Sequence, residues 1–453
     1  MTAKKNIVSE AETTNDFLSK WFRFLNVRPS ETKALVWSWL YVFAIFLAYY
    51  VLRPIRDELG VAGGVDNLPW LFTGTLIAML VVNPLFSYAV KRFTRKRFIS
   101  ISYRFFSINL LAFLLMLHFA TPEQYVWIGR AFFIWISVFN LFVISVFWSF
   151  IVDIFNTEQG KRLFGILAAG ATLGGMAGSA LTSGFVEKIG QSWLMLASIL
   201  FLEVALFAVR KLSRVSSGFK KTSPEEDPEK ALGGSVFSGM KHTFQSPYLL
   251  AVAFYILFNS VISTFLYFQQ AEIVDSNFPD RAARTIFFAD IDFWVNTLTL
   301  VLQVFFAGYL TRWLGVAIIL CVLPLVSVLG FSALATYPIV TVFVIVQVAR
   351  RVSNFGLSRP IREVLFTILS REDRYKAKNF IDTVVYRGGD QVGSWAYAGL
   401  IGIGLTMTGI SIVAVPLSII WLGLSFWLGK KQQQIKIENE VAVENKDYQT
   451  VIF

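Results

Sequence analysis

A single cysteine, Cys321, and two histidines, His118 and His242, are all the soft metal ligands in 453 residues, and charged side chains make up only 16% of the chain. One cysteine leaves no intramolecular disulfide, and so few Cys and His are a poor basis for a zinc site or haem attachment. The sequence has no GxxxxGK[ST] phosphate loop: "GKRL" at 160–163 lacks both the upstream glycine and the Ser/Thr, so nothing is built to hold ATP for hydrolysis. Neither histidine falls in a plausible triad, because one ends an apolar run and the other lies in a polar connection. The first 33 residues have no long apolar run and mix acids with bases, unlike a secretory signal or transit peptide.

What the chain has in excess is apolar surface: 55% hydrophobic and 16% aromatic residues, the composition of an integral membrane protein. Runs of roughly 20 apolar residues are needed to cross a bilayer core of about 30 Å. Such runs start near 34, 68, 98, 125, 163 and 192, and again near 248, 286, 315, 338, 379 and 411. Each start in the second set follows its counterpart by about 216 residues, so the hydropathy pattern repeats. The expected fold is an all-α membrane protein with twelve transmembrane helices in two parallel six-helix repeats. Residues 1–33 form a tail, 34–212 the first half, 213–247 a linker carrying "SPEEDPEK" and Gly233–Gly234, 248–429 the second half, and 430–453 a second tail. Phe17, Leu18, Trp21, Phe22 and Leu25 share one side of a short helix that suits a membrane surface or the protein itself, and 236–244 reads as another interfacial helix.

Most of the 41 Lys and Arg fall in segments on the side of the termini, which the positive-inside rule places in the cytoplasm, as in a bacterial inner membrane. Charges inside the bilayer are costly and should face a cavity or a partner. Here they form stripes: Asp292, Asn296, Thr299 and Gln303 in the eighth helix; Gln347, Arg350/Arg351, Asn354 and Ser358 in the tenth; Thr383, Arg387, Asp390/Gln391 and Ser394 in the eleventh. Tyr255, Asn259, Ser263 and Tyr267 make a milder stripe in the seventh. Such faces line water-filled pathways, although single amides also serve as glue between helices. In "YYVLRPIRDELGV", Arg53, Arg56 and Asp57 share a face if the helix runs on to about 59. Two guanidiniums there offer paired donors for phosphate or carboxylate oxygens, with Asp57 positioning one of them, though a salt-bridged helix end would show the same residues. Gly170, Gly174 and Gly178 have the spacing of close helix packing, and Gly388–Gly389 reads as a point where the eleventh helix loosens.

The loops "VKRFTRKRF" and "GYLTRWLG" resemble the short basic loops of the major facilitator superfamily. More specifically, "LRPIRD" at 52–57, "FWSFIVDIFNTEQGKRLFGILAAGATLGG" at 147–175 and "YKAKNFIDTVVYRGGDQVG" at 375–393 resemble the ATP/ADP translocase-like family of nucleotide exchangers, over about 34–429. In that family a basic residue of the first motif is implicated in nucleotide binding, and Arg56 occupies its place. The eleventh-helix motif departs from the family pattern, with Asp390 where a lysine would stand.

The resulting expectation is a secondary antiporter for a nucleotide or other phosphorylated anion, working by alternating access. Arg53 and Arg56 grip the anion from one half, and Arg350, Arg351 and Arg387 oppose them. Asp57, Tyr49, Asn259, Asn296, Asn354 and Tyr386 join the site, with the tyrosines placed to stack on a base or sugar. Asp292, Asp382 and Asp390 stand as counter-ions or a proton relay. The alternative is a proton-coupled facilitator for a non-nucleotide organic solute. The partners are a small anionic substrate and the lipid bilayer, the chain is read as a monomer, and no cofactor, metal or nucleic acid is assigned.

Overall fold

The structure, a computed structural model, describes residues 27–92, 95–216, 236–369 and 377–452. The surface helix expected around Phe17–Leu25 and the acidic part of the linker lie outside these residues. Everything regular among the described residues is helical. Helices α1 (Thr32–Ala62), α2 (Leu68–Arg92), α3 (Arg95–Phe119) and α4 (Pro122–Ile154) are followed by a long stretch, Thr157–Ser216, that Gly190 breaks into α5 and α6. A linker helix, Val236–Gln245, precedes α7 (Pro247–Asn277). Helix α8 runs from Arg281 to 314, α9 covers 316–336, and Gly315 separates the two. The last three are α10 (340–365), α11 (377–402) and α12 (Met407–Ile452). Among the described residues nine helical stretches are long and apolar enough to cross a membrane; two of them contain two crossings each, and the more polar α11 completes twelve.

The sequence explains where these helices begin and break. Thr121 and Gln124 cap each other's backbone at the start of α4, with Pro122 in the first turn. Asp280 caps α8 through the Ala283 amide. Asn156 and Gln159 exchange reciprocal bonds at the α4–α5 turn, so part of the "FNTEQGKRLFG" motif is helix-capping chemistry. Gly190 and Gly315 have φ of 78° and 73°, a left-handed backbone that side chains other than glycine rarely tolerate, and so tandem helices fold back there. Three segments are wound more loosely as π-helix: Leu302–Ala307 in α8, Asn354–Ser358 in α10 and Ile381–Val385 in α11. All three lie in the second half.

Helix α5 lies hard against α1. A Cβ added to Gly178 would meet the Leu47 carbonyl at 2.6 Å, and one at Gly170 would meet the Trp39 indole at 2.7 Å. The same contact recurs in the second half, where Gly389 faces Ser260 at 2.7 Å and Gly393 faces Thr264 at 2.9 Å, between α11 and α7. Gly389 is therefore packed, and the loosening expected at Gly388–Gly389 occurs instead one turn earlier, in the π segment 381–385. Lipid is as apolar as leucine, so this close approach supplies van der Waals contact rather than hydrophobic gain.

Each half has its own apolar core, but Val61, Leu68, Leu71 and Phe133 of the first half join the core of the second. The Glu58 carboxylate, fully buried, takes a bond from Arg284 at 3.2 Å and one from Gln191 at 3.1 Å, and Gln191 also reaches Thr285. Thr73 of α2 bonds Gln391 of α11, and Trp70 stacks edge-on against Trp395. These contacts clamp the halves together on the face away from the termini, called the far face below. At the other end, Glu31 precedes the first turn of α1 and takes donors from Arg162 at 2.8 Å, Gln159 and the Arg28 amide. Burial opposes its charge, but these donors outweigh burial and hold the carboxyl below its ordinary 4.5.

Candidate functional site

At 1.5 Å of rise per residue, Arg53, Asp292 and Arg351 each lie roughly 15 Å from the far-face end of their helix, the middle of a core about 30 Å thick. They meet there. One oxygen of Asp292 accepts from Arg53 at 2.9 Å and lies 2.7 Å from Arg351, so a carboxylate of α8 ties an arginine of the opposite half to one of its own. Its second oxygen is buried without a bond among the described residues. Tyr50 flanks Arg53, with the guanidinium 5.7 Å from the ring centre. Tyr49 packs edge-on to Tyr50 on the same turn.

One turn further toward the far face, Arg56 holds Asp57 with its Nε at 2.9 Å, and Tyr267 of α7 donates to the same carboxylate oxygen at 3.0 Å. The Arg56 guanidinium also lies 4.7 Å from the centre of the Phe133 ring. Beside it opens a small recess, walled by Arg56, Phe72 and Phe133 of the first half and by Arg387, Asp390 and Gln391 of α11. Arg387 pairs with Asp390 at 3.4 Å, and Ser260 of α7 donates to the other oxygen of Asp390. The structure thus brings Arg53, Arg56, Asp57, Asp292, Arg351, Arg387 and Asp390 to the seam between the halves. The Tyr386 ring lies beside the Arg387 guanidinium, and its carbonyl accepts from Ser260. Asn354 is half-buried in the π segment of α10.

Arg350, Asn259 and Asp382 are placed elsewhere, and Asn296 lies at the seam itself with its side chain engaged by the helix backbone. Arg350 is buried inside the second half, donating to Ser263 at 2.8 Å, to the carbonyl and side chain of Asn259, and to Ser327. It knits α7, α9 and α10 together, and Asn259 is engaged in doing so, so both bond within the second half rather than across the seam where they were expected. Successive residues of an α-helix point about 100° apart, so Arg350 and Arg351 cannot share a role. Asn296 bonds the carbonyl of Asp292 at 2.8 Å and is wedged against Gly175 of α5. Asp382 pairs with Arg362 at 3.3 Å, near the terminus end of α10 and α11 and apart from the Asp292 cluster. Composition reasoning missed Glu58, Gln191 and Arg284, because an acid near a helix end reads as a solvated terminus.

Two six-helix halves clamped at one face, with charges shared across their seam at mid-depth, define the fold of a secondary transporter. The chain belongs to the Major Facilitator Superfamily, which its residues 34–370 match. Among solved structures it is similar to a bacterial homologue of the iron transporter ferroportin in an inward-facing state (TM-score 0.59, 14% identity, 89% of this chain and 98% of that one). It is also similar to a bacterial homologue of the lysosomal transporter Spinster, inward-facing and unoccupied (0.56, 15%, 90% and 98%). The xylose transporter XylE from E. coli, inward open, superposes at 0.56 with 12% identity over 87% and 94%. In sequence it is similar to ADP,ATP carrier protein 1 of Chlamydia pneumoniae, 24% identical over 254 residues, and the match spans about half of each protein (49% and 49%).

Proposed function

We propose that this transporter exchanges nucleotides or related phosphorylated anions across a bacterial inner membrane, with both termini in the cytoplasm. The observation that carries the reading is the pairing of arginines across the seam: Arg56 and Arg387 on one recess, and Arg53 and Arg351 on one carboxylate. Guanidiniums from both halves let one anion bind to either half and draw the two together, and arginine's fork matches two oxygens of a phosphate at once. Asp292, Asp57 and Asp390 neutralise these cations while no substrate is bound, and an anion must compete with them for the donors. The aromatic walls Phe72 and Phe133 suit a nucleobase or sugar. The partial likeness to an ADP,ATP carrier and the three motifs point to the same class. With the termini inside, the clamped far face is the outer one, and the state is inward-facing.

The test is uptake of labelled nucleotides, organic phosphates and organic acids into proteoliposomes, with and without unlabelled substrate inside. Stimulation by internal nucleotide or phosphate supports exchange. Uptake of a non-phosphorylated solute driven by a pH gradient alone would instead favour a proton-coupled facilitator with Asp390 as its acid, and Asp390→Asn would then lose gradient-driven uptake.

A further inference from the structure

The arginines of the seam are spoken for, with one exception. Arg53 and Arg351 are held by Asp292, Arg56 by Asp57, Arg387 by Asp390, Arg362 by Asp382, and Arg350 by uncharged acceptors. Arg359, eight residues beyond Arg351 along α10, has no carboxylate at ion-pair distance among the described residues. Its described side-chain contact is the face of Phe355, 4.5 Å from the ring centre. Arg351 approaches the same ring, at 5.9 Å.

The loose winding of 354–358 contributes to this placement. Without it, residues 351, 355 and 359 would drift around the helix by about 40° per step of four; a π turn takes more than four residues and reduces that drift. The rewinding also frees a carbonyl, and Gln303 of the adjoining π segment in α8 donates to Phe355 O at 3.1 Å. Arg359 is exposed, and the groups within electrostatic reach are Tyr50 of α1, Tyr386 and Asp382 of α11, and the like charge of Arg362 on its own helix. Those helices flank the seam, so the exposed guanidinium faces the cleft between the halves rather than lipid, its backbone about 12 Å from that of Arg351 toward the terminus face by helical rise. By the same rise Arg359 lies at the terminus-side edge of the bilayer core, where water and dissolved anions reach an exposed guanidinium.

We infer that Arg359, with Arg351 on the other side of Phe355, forms a receiving subsite for phosphate groups at the terminus-facing mouth of the cleft, from which an anion passes to the Asp292 cluster. The inference rests on the phosphorylated-anion reading above. With the ring between them, the two guanidiniums are at most about 10 Å apart, so linked phosphates span them better than a single one, each fork taking two oxygens. Arg359 meets the incoming anion first because no carboxylate has to be displaced from it.

The probes are inorganic pyrophosphate and orthophosphate, titrated onto the full chain in phosphatidylcholine nanodiscs and again in phosphatidylglycerol nanodiscs. Arg359→Gln should weaken pyrophosphate binding at least tenfold and orthophosphate less, with an unchanged unfolding midpoint. Arg359→Lys, which keeps the charge without the fork, should recover part of the loss and stands in if the glutamine variant folds poorly. Unchanged pyrophosphate affinity in Arg359→Gln overturns the subsite while leaving the transport reading intact; a wild-type chain that binds neither probe overturns both. If phosphatidylglycerol displaces pyrophosphate from the wild type but not from Arg359→Gln, the subsite stands and a lipid headgroup is its occupant.

Discussion

The two halves share a scaffold and differ in what they load onto it. In both, a glycine-bearing helix presses on the first helix of its half, α5 on α1 and α11 on α7, through contacts below 3 Å for any added Cβ. The first half keeps its described helices α-helical from end to end and commits Arg53 and Arg56 to the seam. The second half carries three π segments and the arginines 350, 351, 359, 362 and 387, of which Arg350 is spent on holding the half together. Duplication thus explains the packing, and the chemistry was added asymmetrically, where rewound helices redirect side chains and release carbonyls.

The sharpest way to break this contrast is to remove one arginine from each half. Arg56→Ala should abolish transport while inserting and folding normally, and Arg56→Lys should retain part of the activity. Arg350→Ala should instead lower folded yield and stability by on the order of 3 kcal/mol, because Asn259 and Ser263 lose their donor in a low dielectric and a cavity is left among α7, α9 and α10. Proteoliposome uptake and thermal unfolding of both variants decide it; a stable, inactive Arg350→Ala would put that residue back in the binding site.

The glycine contacts test whether the scaffold is really shared. Gly178→Ala and Gly389→Ala should each cost about 1–3 kcal/mol by overpacking, since the atoms they meet, a Leu47 carbonyl and the Ser260 Cβ, cannot swing aside. Gly388→Ala, with open space around it, should have a wild-type melting midpoint. Equal sensitivity of the two neighbouring glycines would revive the idea of a flexible point.

Glu58→Gln removes the charge that holds Arg284 across the far face. It should shift the equilibrium toward far-face opening by about tenfold, or 1.4 kcal/mol. The readout is labelling of Thr285→Cys, in a Cys321→Ser background, by an impermeant maleimide. No gain in labelling would mean that apolar packing alone closes that face.

The smallest effect expected is at Glu31. Its folded pKa lies below that of the unfolded chain, so its contribution is present above about pH 4.5 and is lost as pH falls through the lower folded value. Glu31→Gln should cost about 1 kcal/mol at pH 7, since an amide keeps part of the bonding to Arg162 and Gln159, and the difference from wild type should vanish in acid, as followed by unfolding midpoints between pH 3 and 7.

Helix number and position were legible because bilayer thickness forces long apolar runs and duplication repeats them; all twelve starts near 34 to 411 correspond to helices. Arg53, Arg56 and Asp57 were legible as one helix face from their i, i+3, i+4 spacing, and both the contact across the seam, Arg53 with Asp292, and the local pair, Arg56 with Asp57, occur. The stripe of α10 misled because it assumed uniform α winding, which merges Arg350 with Arg351 and ends at Ser358. Reading 351, 355 and 359 as a separate set of Arg, Phe and Arg at spacing four would have exposed Arg359. Glu58 and Arg284 were hidden for another reason: their partnership spans 226 residues, and no local pattern encodes it.

Mechanically, a carboxylate gripped from both halves at mid-depth is a fulcrum, and its lever arms are unequal. Along α1, Glu58 lies five residues from Arg53, about 7.5 Å, whereas Glu31 lies twenty-two residues away, about 33 Å. A rigid tilt about Asp292 that parts Glu58 from Arg284 by about 3 Å, enough to admit a water, therefore sweeps the terminus end of α1 through about 13 Å. The gearing is roughly fourfold: a sub-nanometre slip of one ion pair is matched by closure of a wide vestibule, and the long arm makes the terminus end the place where a distance probe would register the motion most strongly.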